Sequence, residues 1–331
     1  MASKIEWTDE TWNPIRARNR ATGGVGHYCA KVSAGCQGCY AERLQKRFNN
    51  PIRYAAQDRD KVDIFLDEEV LLKPLAWKKP RVVFPCSMTD LFGDWVTDDM
   101  LDHIFGVMGN REQHTFKILT KRPERQRDYV NSERARKAWN SYRLSPDAWP
   151  ARNLQLGCSV EDQESADARI PALLETNARK RIVSYEPALG PVDFTRIKTR
   201  WGSIINALTG RMVASNHSGD VQRERLDQVI AGGKSGPLAV PSHPDWFRAV
   251  RDQCVAAGVP FFFKQWGEWA PVGIGDDVPE ANGARLAVVN RSGAMADART
   301  AVSQPTDAFM WRVGKKEAGR LLDGAVWDQQ P

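Results

Sequence analysis

Six short apolar runs, separated by stretches with helical spacing, constrain this chain of 331 residues most strongly. The runs are Val82 to Cys86, Phe116 to Leu119, Leu154 to Ser159, Arg181 to Ser184, Gln228 to Ala231 and Pro260 to Lys264. Between them lie helix-like segments such as Ala166 to Ala178 and His243 to Ala257, ending near Gly, Pro or Asn. Strands that are apolar throughout, alternating with helices, imply a parallel sheet buried on both faces. The expected fold class is therefore α/β, a partial (βα)6 TIM-like barrel with an irregular C-terminal extension. The barrel is expected over residues 1–270 and the extension over 271–331.

Each run is followed by polar residues: Ser87-Met88-Thr89-Asp90, Thr120-Lys121-Arg122-Pro123, Ser159-Val160-Glu161-Asp162, Ser184-Tyr185-Glu186-Pro187, Gly232-Gly233-Lys234-Ser235-Gly236 and Lys264-Gln265-Trp266-Gly267. Any one such ending reads as a helix cap. Six in succession read as the carboxyl-terminal face on which parallel barrels build active sites. The run Gly232-Gly233-Lys234-Ser235-Gly236 lacks the full Walker spacing, so triphosphate hydrolysis has little support.

The cysteines divide into two groups. Cys86, Cys158 and Cys254 lie singly in or beside apolar runs and read as small buried hydrophobes. Cys29, Cys36 and Cys39 fall within eleven residues, in HYCAKVSAGCQGCYAERL. Clustered thiols in a reducing compartment indicate a metal more than a disulfide. Zinc would need a fourth ligand, for which His27 is nearest, whereas an iron-sulfur cube held by three cysteines keeps one iron open.

Composition narrows the class further. With 47 Lys and Arg against 41 Asp and Glu, 42% hydrophobic residues and no apolar stretch of about 20 residues, the chain reads as globular and without a membrane span. The opening MASKIEWTDETWNP carries no secretory pattern, which gives a cytoplasmic expectation. Basic residues gather at 16–20, at Arg43, Lys46, Arg47 and Arg53, at 121–127 and at 133–137, as in proteins that meet phosphate backbones. Residues 124–150 read as a helix and an extended link, 200–227 as a polar insertion, 271–308 as a small sheet or flap, and the tail as a short helix ended by Gly324. Trp7, Trp12, Trp266 and Trp269 read as packing at the barrel ends.

The segments WTDETWNP, C-x6-C-x2-CYAE, SMTDLF, LTKRP, SVEDQESADARIP, SYEPALGPVD, GGKSGP with a following DW, and FFFKQWGEW resemble an uncharacterised phage-protein family with a three-cysteine motif. That family is itself similar to radical S-adenosylmethionine (SAM) enzymes of the spore photoproduct lyase type. The resemblance implies a 4Fe-4S cluster on Cys29, Cys36 and Cys39, with SAM bound near Tyr40, Ser87, Asp90, Lys121, Ser159 and Glu161. It also implies catalytic or substrate-facing roles for Glu186, Lys264 and Lys234, with Gln265 beside them. Such enzymes mostly carry C-x3-C-x2-C in the loop after the first barrel strand; here the first interval is six residues, and Gly38 stands where an aromatic residue often meets adenine. The implied reaction is radical modification or rearrangement of a nucleobase, plausibly a hypermodified thymine in phage DNA within the host cell. A base in duplex DNA would have to be flipped out. An external reductant such as flavodoxin would be required. A radical enzyme acting on a small molecule or peptide, and a non-catalytic zinc-stabilised nucleic-acid binding protein, are the competing readings. Oligomeric state is left open.

Overall fold

A computed structural model of the chain describes residues 5–45, 52–141, 149–213, 220–272, 285–297 and 304–331. All six expected runs are strands of one sheet: Val82–Pro85, Thr115–Thr120, Leu154–Val160, Lys180–Tyr185, Gln228–Gly232 and Phe261–Gln265. They neighbour one another in chain order, and a seventh strand, Glu10–Trp12, lies at the edge beside Val82–Pro85. Registers such as Glu10↔Val83, Val83↔Phe116, Phe116↔Leu154 and Val229↔Phe261 are parallel. The protein is thus α/β with the strand order of a partial barrel, but with seven strands instead of six. The three residues Glu10-Thr11-Trp12 carry no apolar run, so nothing local marks them as a strand. Their pairing comes from the partner edge, where Asp9 N and Thr8 Oγ1 both donate to the Val82 carbonyl.

Helices Glu68–Ala76, Asp98–Gly109, Pro123–Val130, Glu133–Asn140, Gln163–Leu174 and Pro244–Ala257 fill the connections. The 124–150 region is two helices, of which the second begins at a Ser132 cap and buries Ala135, Ala138 and Trp139. Residues 142–148 lie outside the described part. The connection from Lys180–Tyr185 to Gln228–Gly232 has, among its described residues, no helix. It carries a four-stranded antiparallel sheet built from Ile197–Lys198, Ile204–Ile205, Arg211–Val213 and Asp220–Gln222. After the last parallel strand, Trp269–Pro271, Ala308–Arg312, Leu286–Val289 and Met295–Asp297 form the small sheet expected there, with residues 273–284 and 298–303 outside the described part. The tail helix is shorter than expected, Lys315–Ala318, and ends at Gly319; Gly324 instead occupies a tight turn closed by Leu322 and Ala325.

The chain divides into two compact units. One comprises Met1–Cys158 with Ala172–Ile182, the other Ser159–Pro171 with Val183–Pro331. The first packs an apolar core in which Phe105 meets Tyr129 and Trp139 edge to face at 5.0 and 6.2 Å. In the second, Phe247 gathers Tyr185, Phe263 and Trp266 at 6.1, 5.0 and 5.3 Å. Trp7, Trp12, Trp266 and Trp269 are all buried, as packing residues should be, and so are Cys86, Cys158 and Cys254. Burial pushes the Cys254 thiol up to about 12, in keeping with an inert core residue. Among the described residues no helix is long and apolar enough to cross a membrane.

Candidate functional site

In the first unit the cysteine loop follows the strand Glu10–Trp12 in the chain and precedes the strand Val82–Pro85. It contains a short 3-10 turn, Ala34–Cys36, and leads into the helix Tyr40–Gln45. Cys29, Cys36 and Cys39 are half-buried free thiols. Cys29 and Cys39 both touch a small apolar cluster of Ala41, Tyr54 and Met88. Gly38 has φ +68°, a left-handed conformation that a bulky residue disfavours.

The loop is tied down by the residues that follow the strand Thr115–Thr120. Lys121 Nζ donates to Ser33 Oγ at 3.2 Å, and Arg122 Nη2 donates to the Ala30 carbonyl at 3.2 Å. Arg122 also lies over the Trp95 ring at 4.7 Å. Asp90 holds this pair in place with four accepted hydrogen bonds. Its Oδ1 receives Phe92 N at 3.0 Å and Thr120 Oγ1 at 2.6 Å; its Oδ2 receives Lys121 N and Arg122 Nη1, each at 3.0 Å. With its acceptor capacity filled from within, Asp90 acts as a positioning residue for Lys121 and Arg122.

The segment after Val82–Pro85 is fixed just as closely. Cys86 has φ +57°, uncommon for a residue with a side chain, and reverses the chain into Ser87-Met88-Thr89. Tyr40 and Tyr54 donate through their hydroxyls to the carbonyls of Ser87 (2.6 Å) and Met88 (2.5 Å). Asn13 receives Met88 N at 2.9 Å and sits 3.2 Å from Ser87 Oγ through its Nδ2. Tyr40 and Ser87, both expected near a cofactor, are therefore joined, and Tyr40 keeps much of its ring exposed.

Local charge differentiates the thiols. Burial raises Cys29 and Cys39, and Asp90 adds to the effect on Cys29. Burial would also raise Cys36, but Lys121 and hydrogen bonds from Val32 and Ser33 outweigh it and hold that thiol below its ordinary value. His27 is buried instead of lying in an exposed loop. Its Nδ1 sits 3.0 Å from the Ile15 carbonyl, and burial, followed by nearby Arg16, lowers its pKa to about 4, so it is neutral. Among the described residues no three His, Cys, Asp or Glu side chains form a preformed metal cage. The donor set itself, three soft thiols that influence one another electrostatically beside Lys121 and Arg122, fits an anionic iron-sulfur cluster.

In the second unit, Glu186, Lys264 and Gln265 come together. Lys264 Nζ lies 2.8 Å from both carboxylate oxygens of Glu186. Gln265 Nε2 bridges Glu186 Oε1 at 3.2 Å and the Gly233 carbonyl at 3.0 Å. Both of these neighbours are acceptors, which sets the amide orientation and leaves Gln265 Oε1 buried without a hydrogen-bond partner. Lys234 stands in the adjoining loop, and its carbonyl accepts Glu268 N at 3.1 Å. This loop and the segment after Lys264 interlock: a Cβ on Gly233 would fall 1.9 Å from the Trp266 carbonyl oxygen, and one on Gly267 2.2 Å from that of Lys234. Glu161 is fully buried in an ion pair with Arg169 Nη1 at 2.8 Å, and the same nitrogen donates to the Ser159 carbonyl at 2.7 Å.

The arginines of 121–137 are largely paired with neighbouring acids, several of them in exposed pairs at the surface. Arg125 pairs with Asp98, Arg127 with Asp128 and Glu175, Arg134 with Asp99 and Asp102, and Arg136 with Glu133. In the earlier runs Arg20 pairs with Asp63 and Arg53 with Asp58, while Lys46 and Arg47 lie outside the described residues. Sequence reasoning missed Asn13, Ser33, Arg122 and Arg169. Arg122 alone had a signal, its place beside Lys121 in LTKRP.

No curated protein and no solved structure matches the chain. A family profile described as "Protein of unknown function (DUF5131)" matches residues 2–331, and the chain belongs to that family.

Proposed function

We propose that this protein is a radical SAM-type enzyme that modifies or rearranges a nucleobase, in DNA or as a nucleotide. The observation carrying this reading is a three-thiol loop that lies in the chain between the parallel strands Glu10–Trp12 and Val82–Pro85, after the short antiparallel strands Ile15–Asn19 and Val25–Gly26, and that is clamped at Ala30 and Ser33 by Arg122 and Lys121. Cys29, Cys36 and Cys39 would hold the cluster, and metal binding would complete an arrangement that the chain does not preform. Held by these thiols and reduced by an external donor such as flavodoxin, a 4Fe-4S cluster would supply the one-electron reduction that radical SAM chemistry requires.

The protein's own groups do the remaining work. Lys121 and Arg122 offset the negative charge of a thiolate-bound cluster, and Arg122 is kept in place by Asp90. Tyr40, fastened to Ser87, presents an exposed ring for an adenine face. In the second unit the Lys264–Glu186 pair, 14% and 19% exposed, can exchange a proton with substrate, while Gln265 fixes the carboxylate. The buried pair Glu161–Arg169 supports the start of the following helix.

Anaerobic reconstitution with iron and sulfide tests the proposal. The expected result is a brown protein with about four iron atoms per chain, a charge-transfer absorbance lost in Cys36→Ala, and SAM cleavage after reduction. A wild-type protein that takes up zinc but no iron-sulfur cluster, or a reconstituted protein that leaves SAM intact, overturns it.

A further inference from the structure

The antiparallel sheet in the second unit stands where the repeating pattern of the fold supplies a helix, and its surface differs from the rest of the molecule. Residues 196–225 contain six cations (Arg196, Lys198, Arg200, Arg211, Arg223 and Arg225) and two anions (Asp220 and Glu224), a net charge of 6 − 2 = +4. The whole chain carries +6. All six cations are exposed.

Cross-strand register places Lys198, Ile204, Val213 and Asp220 in one row, with Arg211 and Gln222 on the same face two residues along. The neighbouring row, Ile197, Ile205, Met212 and Val221, begins in the core, where Ile197 and Ile205 are buried. One face thus anchors the sheet, and the other presents Lys198 and Arg211 on either side of Val213, which is 55% exposed, with Arg211 Nε donating to Asp220 at 2.6 Å. At the turn joining the first two strands, Trp201 is 71% exposed and is the one exposed tryptophan among the described residues. Arg200 stacks over its ring at 4.6 Å, and Trp201 N donates to Thr199 Oγ1 at 3.3 Å. The base of this turn is held to the helix Gln163–Leu174, where Asp167 receives Lys198 N at 2.9 Å and Gln163 receives Asp193 N at 2.7 Å. That helix begins just past the carboxyl end of the strand Leu154–Val160, beside Glu161.

A large apolar ring kept in water beside a guanidinium, on a sheet whose opposite end at Gly210 carries Arg211 and Arg223, has a specific use: the ring stacks on a base while the cations follow phosphates. We infer that the sheet of Ile197–Lys198, Ile204–Ile205, Arg211–Val213 and Asp220–Gln222 is a docking surface for single-stranded nucleic acid, with Trp201 as the stacking platform. The fit is one of charge complementarity together with an aromatic face, and it stands independently of the radical chemistry above. An acidic protein that used both the cations and the ring is the outcome that competition by polyglutamate reveals.

Fluorescence anisotropy with a labelled single-stranded oligonucleotide of mixed sequence, on the full chain without added iron, tests the inference. Affinity should fall steeply with salt, and intrinsic tryptophan fluorescence should be quenched on binding. Trp201→Ala should weaken binding about ten-fold or more, with Trp201→Phe largely restoring it. Arg200→Ala with Arg223→Ala and Arg225→Ala should reduce the slope of log affinity against log salt by about two. Thermal melts should match wild type, because the altered side chains are exposed. Equal binding by Trp201→Ala and wild type, or displacement of the oligonucleotide by polyglutamate as readily as by unlabelled DNA, overturns the inference. Loss of radical activity with oligonucleotide binding retained would strike only the proposed chemistry.

Discussion

Asp90 and Glu186 both follow parallel strands and both face cations, yet they are held in opposite ways. Asp90 receives two backbone N–H groups, a threonine hydroxyl and a guanidinium, and nothing about it is free to rearrange. Glu186 is held only by the side chains of Lys264 and Gln265, on an edge that water reaches. A carboxylate fixed by the backbone serves geometry, because moving it would undo local folding. One fixed by side chains can change partner or protonation without that penalty, which chemistry requires. The sequence places both among the polar strand ends, and the resemblance implies a SAM-binding role for Asp90 and a catalytic or substrate-facing one for Glu186.

The difference can be broken by experiment. Asp90→Ala strands Arg122 at a site only 12% exposed, and the unfolding free energy should drop by about 3–5 kcal/mol, the usual loss when one partner of a buried pair is removed. Urea denaturation measures it, and a loss under about 1 kcal/mol would make Asp90 no more structural than Glu186. A buried charge on the same strand as Thr120 sharpens the argument. Burial lowers Lys117 to about 8, so the folded protein releases this proton before the unfolded chain does. Stability from this group is flat below pH 8 and rises between pH 8 and about 10.5, as the unfolded state then binds more protons. Lys117→Met should remove that rise and stabilise the protein at pH 7 by about 1–3 kcal/mol; denaturation series at pH 7 and pH 10 check both.

Glu186→Gln should cost about 1 kcal/mol or less of stability, since the pair is partly solvated. Turnover of the reconstituted enzyme should nevertheless fall at least about ten-fold, in line with loss of a proton-exchanging group. Full activity in this variant would reduce Glu186 to a structural role. At the small end, Arg134→Ala removes exposed pairs with Asp99 and Asp102, and its urea denaturation curve should overlay that of the wild type.

The scaffold was largely legible because its signals are local. Apolar runs such as Leu154 to Ser159 and capped segments such as His243 to Ala257 announce themselves within ten or so residues. Glu10–Trp12 did not, because its identity as a strand resides in the facing edge at Val83 to Pro85. The same physics hid the clamp. Arg122 reaches Ala30 across ninety-two positions, and Lys121 reaches Ser33 across eighty-eight. No spacing rule connects such residues before the sheet has brought them together. Charge was misleading for a related reason: the arginines of 121–137 look available in sequence, but helices 123–130 and 133–140 set them opposite acids, while the scattered cations of 196–225 collect only through antiparallel register.

The reciprocal glycines at Gly233 and Gly267 bear on how this protein can vary. Each yields room to a carbonyl of the other's loop, so enlarging either one displaces the backbone that accommodates the second. The two positions are therefore a lock whose halves lie thirty-four residues apart: a substitution at one cannot be rescued by a change in its own neighbourhood, only by reshaping the opposite loop. Drift in this part of the chain should be confined to residues such as Pro237 and Leu238, which point outward, leaving the Gly-Gly and Trp-Gly steps to change together or not at all.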